Sequence, residues 1–238
     1  MRKLIVGDIH EPVAHPGYRD FVMDVAERYQ TDDVLFIGDI VDWHAISFHT
    51  RHPNSPGTMD EYEMAKGYIA DWYDAFPEAI VCVGNHDERI IRLAEVAGIP
   101  SKFIRDYNEV WGTPGWNWVY DFTDEDGTYF VHGTGLSGMH PAYNLMKKMA
   151  QSSVMGHVHS AFGVKWLVNS HSRMFGLDSG CGVDDKAYAF AYGKHNKLKS
   201  VLGCGVILDG LAIPILMEIG PGEKYNRSRF DARPLRGG

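Results

Sequence analysis

Five short apolar runs in this chain each end in a polar turn that carries aspartate, asparagine or histidine. Residues 4–6 run into Asp8-Ile9-His10, and 34–37 into Gly38-Asp39-Ile40-Val41-Asp42. Residues 80–83 run into Gly84-Asn85-His86-Asp87, 129–131 into His132-Gly133, and 154–155 into Gly156-His157-Val158-His159. Runs this short and this apolar read as buried strands rather than helices. Buried strands must be covered on both faces, and in folds that alternate strands with helices, ligands sit beyond the carboxyl ends of the strands. The polar blocks stand in those positions.

The segments between the runs supply the covering helices. Tyr18, Phe21, Val22, Val25, Ala26 and Tyr29 recur at helical spacing. After a polar, proline-containing loop over 44–57, Thr58 and Glu61 form a capping-box pattern, and Tyr62, Ile69, Trp72, Tyr73 and Phe76 give the following helix an apolar face. Ile90, Leu93, Ala94 and Ala97 mark a third helix that stops at Gly98, with Pro100 beyond. The second part is richer in strands. Residues 116–120 and 128–131 flank Asp126-Gly127, which predicts a hairpin. A helix is expected over 142–150. Further strands are expected near 164–168, 173–177, 201–208 and 213–219, completing a second sheet. Residues 1–220 read as a single domain. The tail 221–238 carries Arg227, Arg229, Arg233 and Arg236 and reads as a solvated terminus or, more sharply, as a contact arm for a subunit or a polyanion.

Composition narrows the function. The net charge of -8 argues against sequence-blind wrapping of nucleic acid, whose affinity comes from lysine and arginine neutralising phosphates. Cys82, Cys181 and Cys204 are odd in number and far apart, which is neither a disulfide framework nor a zinc ribbon, so a reducing cytoplasm is expected. Cys82 lies in an apolar run and reads as core. No stretch approaches the roughly 20 apolar residues of a membrane span. Aspartate and histidine are the usual ligands of borderline divalent ions. Two residues apart on a strand end, as in Asp8 and His10, they can grip one ion. Glycine ahead of a ligand permits a sharp turn and close approach of substrate to the backbone.

A lone histidine after a strand is ordinarily a satisfied turn residue, but here five blocks stand in order. The chain resembles the calcineurin-like metallophosphoesterase superfamily, whose pattern is D-x-H, GDxxD, GNH[DE], an isolated His and GHxH, and the resemblance spans Asp8 to His159. It implies a four-layer α/β fold, a central β-sandwich of two mixed sheets flanked by helices. It implies two divalent cations, manganese first, with iron, zinc, cobalt or nickel as alternatives. Asp8, His10 and His159 would bind one, Asn85, His132 and His157 the other, and Asp39 both. The two carboxylates leave two dications with net positive charge, which suits a phosphate. The implied reaction is hydrolysis of a phosphomonoester or phosphodiester by a hydroxide shared between the metals, which stand about 3.5–4 Å apart in such sites. His86 resembles the general acid or phosphate-contacting histidine, with Asp42 orienting it. Asp87 reads as a structural partner.

The chain departs from the Ser/Thr protein phosphatase branch, where Arg-Gly follows GDxxD. Here Trp43-His44 stands there. The loop that follows carries His44, His49, Arg51 and His52, of which His44 and Arg51 are candidate substrate contacts. The final block ends at Ser160, without the basic residue common in relatives. With 79 residues after His159, no large cap domain is expected. A phosphoesterase acting on phosphomonoesters or phosphodiesters, with a slight lean to phosphodiesters and nucleotides, is therefore the first reading. A nuclease on DNA or RNA is the alternative, followed by a protein phosphatase and by a non-catalytic scaffold. The last is disfavoured because every ligand position is filled. No membrane partner is expected, and the oligomeric state is left open.

Overall fold

The computed structural model describes residues 1–48, 51–187, 189, 197–220, 224, 225 and 227. His49, Arg229, Arg233 and Arg236 lie outside them. Two sheets stack face to face among these residues. The first has the order β11-β10-β1-β2-β3-β4, in which β1 (Arg2–Val6), β2 (Asp33–Phe36), β3 (Ala79–Cys82) and β4 (Trp116–Val119) are parallel. Strands β10 (Gly203–Leu208) and β11 (Leu211–Leu216) extend it antiparallel on the far side of β1. The second has the order β5-β6-β7-β9-β8, from β5 (Asp121–Thr123), β6 (Tyr129–Val131), β7 (Ser153–Met155), β8 (Phe162–Val168) and β9 (Arg173–Ser179). In it β6, β7 and β9 are parallel.

The period-2 alternation of each inner strand decides which layer its residues enter. In β1, Leu4 and Val6 face α1 (Tyr18–Tyr29) and α2 (Thr58–Ala75), packing with Phe21, Val22, Val25 and Trp72. Ile5 faces the other sheet and meets Phe130, Val154 and Leu177. On the outer side of the second sheet, α5 (Pro141–Met149) lays Ala142 and Leu145 against Met155. The order of layers is helix, sheet, sheet, helix, as expected. Gly176, on β9, lets α5 approach the sheet closely, because a Cβ there would lie 2.5 Å from the backbone nitrogen of Tyr143. Of the two short helices, α3 (Arg89–Val96) follows β3 in the chain and α4 (Tyr107–Trp111) packs beside β4. No helix of the described residues is long and apolar enough to cross a membrane.

Three local expectations are corrected. The hairpin around Asp126-Gly127 joins β5 and β6, whereas 116–119 is the parallel edge strand β4 of the other sheet. The last two strands close the first sheet, not the second. Thr58 and Glu61 make no capping box. Gly57 caps α2, and the buried Glu61 carboxylate accepts the main-chain N–H groups of His44 (2.7 Å) and Ala45 (2.6 Å), holding a 3-10 turn at His44–Ile46. The described part of the tail packs on α1. The Tyr225 ring meets Phe21 edge-on and its hydroxyl donates to Asp24 (2.8 Å), while Arg227 pairs with Asp24 (2.7 Å) and Glu27 (3.3 Å).

One buried cation ties the sheets together. The Lys3 ammonium, on β1, donates to Asp124 (2.6 Å) and Asp126 (2.7 Å) in the β5–β6 turn. Burial alone would push Lys3 down, but the two carboxylates outweigh it and hold it above the usual lysine value. Lys3→Ala strands a mostly buried carboxylate, so urea denaturation should show a loss of about 3 kcal/mol. Lys3's folded value is raised, so its contribution is fully present below the ordinary lysine value and fades only above its own. Asp126 is held below the usual range by Lys3, so its share is lost only as acid protonates it. The deficit should therefore be flat across neutral pH.

Candidate metal centre

All five polar blocks leave the carboxyl ends of parallel strands, β1, β2 and β3 in one sheet and β6 and β7 in the other, so the sandwich gathers them at one rim. The loops are cross-braced. The N–H groups of Ile9 and His10 both donate to the Asp39 carbonyl (3.1 and 2.9 Å). The Asp87 carboxylate accepts N–H groups of Ile40 (2.9 Å) and Gly84 (2.8 Å), knitting the second block to the third and giving this residue its structural part. His10, Asp39, Trp43 and His157 all have positive φ, from 47° to 66°. Left-handed backbone costs a non-glycine residue about 1 kcal/mol or more and persists where surrounding contacts dictate it.

The glycines before the ligands act mainly by leaving space. A Cβ on Gly84 would lie 2.2 Å from the Asp39 carboxylate, and one on Gly156 would lie 2.1 Å from that of Asp8. Gly38, at φ +91°, also takes the turn conformation expected of it.

Seven predicted ligands converge. Asp8, His10, Asp39 and His159 bring ligand atoms within 4.8 Å of one another, as do Asp39, His132 and His157. Asn85 joins the second group, its Oδ1 lying 3.1 Å from His132 Nε2. Hydrogen bonds fix the tautomers of two histidines. His10 Nδ1 lies 2.8 Å from Asp42 Oδ1, and His132 Nδ1 lies 2.8 Å from the Ile37 carbonyl. Both partners only accept, so in the neutral rings both Nδ1 atoms carry the proton. Each Nε2 then aims a lone pair inward at the other ring nitrogens and at carboxylate and amide oxygens. His10 Nε2 faces His159 Nε2 (3.1 Å) and Asp39 Oδ2 (3.5 Å), and His132 Nε2 faces Asp39 Oδ2 (3.2 Å), Asn85 Oδ1 and His157 Nδ1 (3.2 Å). Lone pairs converging with carboxylate and amide oxygens in this way form a cluster that could hold a metal ion. Imidazole, carboxylate and amide oxygen suit a borderline divalent ion, and buried second partners on the ligating histidines are the usual support of such a site.

The electrostatics agree. Burial would raise Asp39, but His132, His86 and His10 hold it well below the carboxylate range. Asp8 is likewise lowered, by His132 and His159. Burial and the neighbouring His86 push His10 down to about 4, so it is neutral. Burial opposes protonation of His132, yet Asp39 and Asp8 push it up to about 10. With no metal, a proton on His132 answers the crowding of acids, and a divalent ion would displace it. The buried side of the cluster is Asp8, His10, Asp39 and His132, while His86, His157 and His159 are partly exposed.

The other predicted residues divide. The Asp42 carboxylate makes its shorter contact with His10, lying 3.4 Å from His86 Nδ1, which instead meets the Asp42 main-chain carbonyl (2.7 Å). His44 is buried and its Nε2 accepts the His52 N–H, while Arg51 donates to the Pro56 carbonyl. Both bonds stay within the loop. Arg89, which the sequence reading passed over, is buried with its guanidinium against His86. Its one sequence signal is a place three residues after that histidine.

A family profile described as calcineurin-like phosphoesterase matches residues 1–191. Comparison with curated proteins gives no match. Among solved structures, Vps29 of Chaetomium thermophilum aligns over 94% of this chain and 93% of its own, at 10% identity and a TM-score of 0.49. YfcE, a phosphoesterase from E. coli, aligns over 94% and 96%, at 11% identity and 0.43. Nuclease MPE of Pseudomonas putida aligns over 90% and 87%, at 13% identity and 0.32.

Gly156→Ala should displace the Asp8 carboxylate. Titration calorimetry with manganese is expected to show affinity reduced about tenfold or more, with the circular dichroism spectrum unchanged. Gly67→Ala, in α2 with open space around it, should leave affinity untouched and raise stability by about 0.5–1 kcal/mol.

Proposed function

Since the chain belongs to the calcineurin-like phosphoesterase family, we propose that it hydrolyses phosphate esters with two divalent cations held at this cluster. The observation that supports the paired arrangement is the position of one carboxylate oxygen. Asp39 Oδ2 lies 3.5 Å from His10 Nε2 on one side and 3.2 Å from His132 Nε2 on the other. In this reading Asp8, His10 and His159 complete the first site, Asn85, His132 and His157 the second, and manganese is the first candidate ion. When bound, such ions lower the pKa of water towards neutrality and neutralise charge on phosphate oxygens.

The chain's own groups do the rest. Asp42 holds the His10 ring in the tautomer that presents Nε2, and His86, partly exposed at the rim, faces the substrate side. Residues 1–220 form the working unit, since β10 and β11 are needed to cover β1. The substrate class is taken as phosphodiesters and nucleotides before phosphoproteins. Trp43, where the protein phosphatase branch has arginine, is buried between Tyr62 and Trp111 and offers a phosphate nothing.

The manganese-loaded protein should turn over an aryl phosphodiester and an aryl phosphomonoester, and a chelator should abolish both activities. Asp39→Asn should lower turnover by roughly 100-fold. Inertness with every divalent ion tried, or an Asp39→Asn variant as fast as wild type, would refute the proposal.

A further inference from the structure

We propose that Arg89 is a positioning residue that holds His86 as its Nδ1–H tautomer and thereby sets how this histidine meets substrate, an inference that rests on the phosphoesterase reading only for its kinetic consequence. Arg89 opens α3, and its guanidinium is buried. Its Nη1 donates to the main-chain carbonyls of Asp42 (2.6 Å) and Trp43 (2.9 Å), and its Nη2 reaches His86 Nε2 at 3.0 Å. A guanidinium in a protein only donates, so Nε2 must be the acceptor and carry no proton. On the other side of the ring, Nδ1 stands 2.7 Å from the Asp42 carbonyl, which only accepts, so Nδ1 must carry the proton. Two partners with opposite requirements impose the same tautomer.

The fork is also what joins His86 to its surroundings. One planar group spans the two carbonyls of a turn in which Trp43 has φ +51° and the ring of a residue on the next loop. Lysine, a point charge on a flexible stem, cannot hold three acceptors in that fixed geometry. While Arg89 occupies Nε2, His86 has no proton to give from that atom. Of the two roles the resemblance implies for it, proton donor or phosphate contact, this geometry favours an oriented ring backed by a fixed positive charge. Asp42 acts on His86 chiefly through its main-chain carbonyl, so Arg89 takes over much of the orienting part that the sequence assigns to the Asp42 carboxylate.

Long-range proton–nitrogen correlation spectra of the histidine rings, in zinc-loaded protein, test the tautomer directly, with His86→Gln identifying the His86 signals. At alkaline pH, where the ring is neutral, the wild type is expected to show an Nδ1–H ring, and Arg89→Lys a shift towards the Nε2–H form. With an aryl phosphodiester, Arg89→Lys should lower kcat about tenfold with KM within about twofold. In a His86→Gln background the same change should alter kcat by less than about twofold, because Arg89 acts through that ring. An unaltered ring pattern in Arg89→Lys, an Nε2–H ring in the wild type, or losses that multiply in the double variant would overturn the inference. If no substrate is turned over, the hydrolase reading falls, while the ring spectra still decide the tautomer.

Discussion

The Asp39 carboxylate is the point on which the site depends. It is buried with three imidazoles around it and a main-chain N–H of His86 on its other oxygen, 2.7 Å away. A bare carboxylate in such a place would cost several kcal/mol, and its neighbours exist to prevent that cost. Removing any one of them changes the charge balance for the rest, which is why the loops carrying them are tied to one another through main-chain bonds as well as through side chains.

The sandwich makes this crowding possible. Parallel strands in both sheets run the same way, so their carboxyl ends deliver side chains from widely separated parts of the sequence to one rim. The apolar slab behind the rim, with Ile5, Leu35, Phe130 and Leu177, lets polar groups gather only at its edge. Tight backbone geometry at His10, Asp39, Trp43 and His157 shows how little slack remains there.

Much of this could be read from the chain because each ligand follows its strand directly, so the local pattern carried both the element and the chemistry. What escaped was decided by distant partners. Residues 116–119 look like one arm of a hairpin, but their neighbour in space is β3, and nothing near Asp126 announces it. Glu61 fits a helix cap by spacing, yet the main-chain N–H groups of His44 and Ala45 claim it. Arg89 is nearly silent in sequence because two of its acceptors are main-chain carbonyls, which every residue has. The glycines were noticed, but for their flexibility. At Gly84 and Gly156 the operative property is the missing Cβ, which only the position of the opposing carboxylate reveals.

Lys3 and Asp8 mark opposite ends of β1, five residues apart. At the rear an ammonium sits between two carboxylates, and at the front the proposed metal ions sit among another two. On the proposed reading the same device, positive charge held between acids, would serve both ends of the strand. A covalently attached amine serves the rear end, and on the proposed reading exchangeable ions would serve the end that meets substrate.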